Sequence, residues 1–115
     1  MSLLVEQVPI TTLPNGTDLS TVRAGGCIVR AIRVLVGTLS MPDITITEQP
    51  SNTTILAVTG LAADASYVPL MVGQDHAGAD ITGSAVPIPV VDRIQIAIAG
   101  GGDTKTGQVS LLLER

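Results

Sequence analysis

The chain has 115 residues and a net charge of -4, from 6 Lys plus Arg against 10 Asp plus Glu, so one domain is expected, and the broad basic surface that nucleic acid or an anionic membrane requires is excluded. Hydrophobic residues make up 45% and charged residues only 14%, the opposite of a disordered composition, which predicts a folded protein with an unusually uncharged surface. Phe and Trp are absent and Tyr67 is the sole aromatic residue, so the core must be built from Ile, Val, Leu and Ala, a composition that favours strands.

The opening MSLLVEQVPI carries no Lys or Arg and meets Glu6 early, unlike a secretory signal, so no targeting segment is expected. Leu3 to Ile10 reads as a strand and Pro14, Asn15 and Gly16 as a turn. Residues 1–22 are read as an N-terminal arm or first strand, and residues 23–115 as a single β-sandwich domain. Cys27 is the lone cysteine and reads as a small buried hydrophobe. Ile28 to Val36 fits helical spacing as well as strand alternation, but its β-branched content and its bracketing by Gly26 and Gly37 favour a strand. Strict alternation puts Ile28, Arg30, Ile32, Val34 and Val36 on one face, with Val29, Ala31, Arg33 and Leu35 on the other. An arginine in an apolar strand needs an acidic partner, because an isolated buried guanidinium is costly. Arg30 and Arg33 are therefore the candidate oligomer-interface residues, with a neighbouring chain expected to supply their partners.

Ile44 and Ile46 alternate with Thr45 and Thr47, and Ile55, Ala57 and Thr59 alternate with Leu56 and Val58. Joined by Gln49-Pro50-Ser51-Asn52, the two runs predict a β-hairpin whose second strand is the more buried. From Leu61 to Val90 no period persists, and Pro69, Gly73, Gly78, Gly83, Pro87 and Pro89 exclude a long helix. Tyr67 to Val72 reads as an edge strand, and Gly73 to Ser84 as a loop. In the last part Ile94, Ile96 and Ile98 form an inward set against Arg93, Gln95 and Ala97. GGGDTKTG follows, and the chain returns with Val109, Leu111 and Leu113, a pattern that predicts a hairpin. About seven or eight strands without a convincing amphipathic helix predict an all-β antiparallel sandwich or jelly roll.

Catalytic and metal-binding readings find little in the residues. Gly100 to Gly107 combines glycines with Lys105 and Thr106, but a phosphate-binding loop needs Gly immediately before the Lys and a helix after it, where this chain has Thr104 and a strand. His76 lies beside Asp75 and four residues before Asp80, too few ligands in a glycine-rich loop to fix a metal geometry. Sets of His76 with Ser66 or Ser84 and Asp64 or Asp92 lack a nucleophile elbow. The expectation is a protein without enzyme activity, catalytic residues, metal or cofactor.

The segment VDRIQIAIAGGGDTKTGQVSLLLE resembles the C-terminal hairpin of small β-rich virion proteins of tailed bacteriophages. The resemblance covers roughly these 25 residues well and the stretch from Ile44 loosely. It implies a capsid decoration, cement or other head-associated protein with a sandwich or jelly-roll fold. Such proteins are often trimers, bind other capsid or head proteins, and belong to a virion assembled in the bacterial host cytoplasm. The resemblance transfers no binding residue. Independently, a monomer of this mass exposes roughly 5,900 Å², with only 16 charged side chains (6 plus 10) to distribute over it, so a homo-oligomer is expected, most readily a trimer, without nucleic acid or membrane as partner. The alternative is a β-sandwich ligand-binding or adhesion module that uses the Gly73–Ser84 loop; the shortage of aromatic platforms counts against it.

Overall fold

A computed structural model describes residues 2–71, 74 and 76–115, and these contain strands and turns but no helix. The strands are β1 (Leu3–Thr11), β2 (Asp18–Arg23), β3 (Ile28–Leu35), β4 (Asp43–Gln49), β5 (Thr53–Val58), β6 (Ala65–Tyr67), β7 (Leu70–Met71), β8 (Val86–Pro89), β9 (Arg93–Ala99) and β10 (Thr106–Glu114). They form two antiparallel sheets. The first runs β1-β10-β3-β8-β7, with β6 also against β3, and the second runs β2-β9-β4-β5. Three of the elements, β6, β7 and β8, are only two to four residues long, which is why a count by alternation falls below the ten strands described.

The order of pairing follows a nested rule. β4 pairs β5, β3 pairs β8, β2 pairs β9 and β1 pairs β10, each pair enclosing the one before it along the chain. Successive pairs fall in alternate sheets. The chain is thus a ribbon doubled back at the β4–β5 turn and wrapped so that two apolar faces meet. Ile44, Ile46, Ile94, Ile96 and Ile98 from the second sheet join Ile10, Val29, Ile32, Val34, Val109, Leu111 and Leu113 from the first in one buried cluster. Aliphatic alternation with period two therefore does here what aromatic residues do in many cores.

Several expectations are corrected by this arrangement. β9 and β10 are not a hairpin: β9 lies between β2 and β4, and β10 lies between β1 and β3. Their inward sets are as expected, since Ile94, Ile96, Ile98, Val109, Leu111 and Leu113 are all buried. Gly100 to Lys105 arches from one sheet to the other, however, and two strands facing each other across a core show the same alternation as two strands side by side. The β4–β5 hairpin forms as predicted, but β5 is the less buried strand, because it is an edge and β4 is flanked on both sides. Residues 1–22 hold β1 and all of β2 except Arg23, and the two strands lie one in each sheet. β8 escapes sequence reading because Pro87 and Pro89 disguise it. Of the edge strand expected from Tyr67 to Val72, the described part is divided between β6 and β7, while Val72 lies outside the described residues. Cys27 is buried, as expected.

Candidate functional site

The two arginines singled out by sequence lie on β3, and a bulge decides where they point. β3 pairs β10 as Ala31↔Leu112 and then Val29↔Leu113, so Arg30 is an extra residue with no opposite number. The bulge shifts the alternation by one: Val29, Ile32 and Val34 are buried, which strict alternation forbids. Arg30 and Arg33 consequently share the outer face of the first sheet instead of lying on opposite faces. Arg30 has an acidic partner in its own chain. Its Nε donates to Glu114 Oε2 within the same molecule. That hydrogen bond, aided by the attraction of the guanidinium charge, holds the Glu114 carboxyl below its ordinary value against the opposing effect of burial, and raises the pKa of Arg30. Arg33 is exposed and donates to Ser66 Oγ at 3.3 Å.

Around the Arg30–Glu114 pair, strand register assembles an apolar surface from three strands. Val5 lies opposite Leu112, and Leu112 opposite Ala31; one step along, Leu3 lies opposite Glu114 and Glu114 opposite Ile28. Leu3 is 59% exposed and Val5 63%. No periodicity rule assigns these residues to one another, because the patch exists only once β1, β10 and β3 are neighbours. It ends at β1, nine residues long, which among the described residues has a strand partner on one side only.

Two buried polar side chains complete the architecture of the ends. Thr12, 2% exposed, donates through Oγ1 to the Gly102 carbonyl at 2.7 Å and accepts from the Lys105 N–H at 2.8 Å. This clamps the glycine arch, in which Gly100 and Gly102 take positive φ angles of 66° and 90° that side-chain-bearing residues resist. The arch is a sheet-to-sheet crossing built into the fold. Glu48, 3% exposed, accepts from the Val91 N–H at 3.1 Å and from the Ser51 hydroxyl, tying the β4–β5 turn to the segment before β9. Both residues continue an inward series, Val8-Ile10-Thr12 and Ile44-Ile46-Glu48, and parity alone could have marked them as buried.

The residues considered for catalysis take structural partners. Asp64 Oδ1 accepts the Val36 N–H at 2.8 Å, Asp92 pairs with Arg93 at 2.7 Å and Arg23 at 3.7 Å, and Ser84 Oγ donates to the Ile81 carbonyl at 2.8 Å. Asp80 accepts from Gln74 at 3.1 Å. His76 is exposed in a turn, while Asp75 and Gly73 lie outside the described residues. Among the described residues no group of three His, Cys, Asp or Glu is placed to hold a metal ion, and no pocket is formed. No family model matches the chain, and no curated protein matches it.

Proposed function

We propose that the protein is a non-enzymatic structural protein of a phage virion, a capsid decoration or cement protein that binds other shell subunits. The observation that carries this reading is the outer face of the first sheet, where Leu3, Val5, Leu112, Ala31 and Ile28 surround the Arg30–Glu114 pair. An apolar surface with one satisfied ion pair suits protein contact, because its aliphatic side chains gain by leaving water and the pair fixes orientation. We read the strand order as a jelly roll of eight strands, with β6 and β7 inserted between the fifth and sixth. The nested pairs β1–β10, β2–β9, β3–β8 and β4–β5 support it. Jelly rolls recur in viral capsid proteins, which is support by analogy of fold. The virion setting rests on the sequence resemblance of Val91 to Glu114.

The test is co-sedimentation with shells assembled from a major capsid protein, where one is encoded near this chain. The wild-type protein should pellet with the shells, and Leu112→Glu, which places a charge in the centre of the apolar face, should leave it in the supernatant. A gene neighbourhood without capsid or portal genes, or binding that Leu112→Glu does not alter, would move the weight to a ligand-binding module.

A further inference from the structure

The backbone of β1 forms the edge of the first sheet, beside the apolar outer face. Ser2 and Arg115 exchange both main-chain hydrogen bonds, at 3.2 and 2.9 Å, and the Thr12 N–H donates to the Lys105 carbonyl at 2.9 Å. The register between these ends is unbroken. By the alternation of an antiparallel ladder, Leu4, Glu6, Val8 and Ile10 direct their backbone groups at β10, whereas Leu3, Val5, Gln7, Pro9 and Thr11 direct theirs away from the sheet. The free edge therefore offers N–H and C=O at Leu3, Val5 and Gln7, and loses its donor at Pro9.

We propose that this edge pairs with β1 of a second copy of the chain, antiparallel across a two-fold axis at Val5. Several registers bring the outward-directed groups together, and the side chains choose among them; those centred at Val8 or Pro9 place Pro9 in a bonded pair. An axis at Gln7 sets Pro9 of each copy against Val5 of the other, so that a proline ring stands where the incoming carbonyl needs an N–H on both sides. An axis at Glu6 opposes two carboxylates directly and also spends a donor on Pro9, and like charges in that position repel. Within β1, an axis at Leu4 gives two bonded pairs, Leu3 with Val5 on each side, one fewer than an axis at Val5. With the axis at Val5, Leu3 meets Gln7, Val5 meets Val5, and Glu6 meets Leu4, so three bonded pairs form with neither defect.

The same axis joins the two apolar outer faces. The row Ala31-Leu112-Val5 of one copy continues into Val5-Leu112-Ala31 of the other without a charged residue between them. That continuity is the argument for a second copy over an unrelated peptide: self-pairing extends the surface that each copy already presents. Five paired residues are few beside the roughly 20–30 a side of a standard interface, so the dimer is weak and depends on concentration. The contact is two-fold, where the virion resemblance implies a trimer, and it holds whether or not the outer face binds a capsid shell.

Sedimentation equilibrium from micromolar to millimolar concentration tests it. The weight-average mass should rise from 11.7 kDa toward twice that value. Val5→Pro removes an outward N–H without touching the ladder to β10 and should hold the mass at that of the monomer at every concentration. Val5→Glu, which leaves the backbone unchanged and opposes two carboxylates at the axis, should do the same, with the β-type circular dichroism retained. Leu112→Glu, one strand in from the edge, leaves every outward N–H and C=O of β1 in place and should weaken the dimer without abolishing it while shell binding is lost, which separates this contact from the outer-face reading. A wild-type protein that stays monomeric at millimolar concentration, a mass that levels at three copies, or a dimer unmoved by Val5→Glu overturns the proposal.

Discussion

Arg30 and Glu114, 84 residues apart in the chain, form one hydrogen-bonded ion pair on the outer face of the first sheet. The bulge in β3 frees the Arg30 side chain from strict alternation, and the C-terminal end of β10 brings the carboxylate to it. The pair joins the two strands beside the apolar row, so its state should be felt in stability as well as in any contact made by that face.

The Arg30 hydrogen bond lowers the Glu114 pKa in the folded protein below the ordinary 4.5. A carboxyl depressed on folding adds stability that is complete above its unfolded value and disappears as the pH falls through the folded value. The gap in urea midpoint between wild type and Glu114→Gln should therefore be widest near neutrality and close once the pH drops well below 4.5. A gap of the same size at pH 7 and pH 2 would show that the carboxylate contributes nothing through its charge.

The two arginines should separate when each is truncated. Arg30→Ala strands Glu114, whose side chain is only 14% exposed, whereas Arg33→Ala removes one exposed hydrogen bond to Ser66. Thermal denaturation should show the larger loss for Arg30→Ala and almost none for Arg33→Ala. Equal losses would mean that the bulge does not place Arg30 as described.

Ile96 is fully buried at the centre of the second sheet, between Ser20 and Ile46. Ile96→Ala should cost about 2–5 kcal/mol in chemical denaturation. Gln95→Ala, directed to the other face, should cost less than about 0.5 kcal/mol. An unchanged midpoint for Ile96→Ala would refute the register of β9.

Thr12→Val keeps the shape of the clamp and removes its hydroxyl, leaving the Lys105 N–H and the Gly102 carbonyl without that partner. An unsatisfied group in such a place costs about 1–3 kcal/mol. Hydrogen exchange should quicken first at Lys105, across the glycine arch. Protection there equal to that of the wild type would show that the arch holds without Thr12.

Much of this fold was legible in the chain. Period-two alternation at Ile44–Thr47 and Ile94–Ile98 specified strands and their inward faces, because a side chain must leave a strand on one face or the other. Gly and Pro punctuated the chain where turns form, and β-branched residues between glycines settled Ile28 to Val36 as a strand. The same parity pointed inward for Thr12 and Glu48, whose buried polar atoms find partners only in other segments of the chain.

The tertiary structure decided which strands are neighbours. Alternation is the same for a strand paired beside another and for one packed across the core from it, so β9 and β10 read as a hairpin although they belong to different sheets. A bulge is likewise silent in sequence. One unpaired residue in β3 turned Arg30 to the face of Arg33 and gave it Glu114, and no local rule reports a partner 84 positions away. The composition by itself determined an all-β, aliphatic, sparsely charged protein. The apolar face and the open edge of β1 were set only by wrapping the ribbon, because burial depends on which strands are brought together and on what is left without a neighbour.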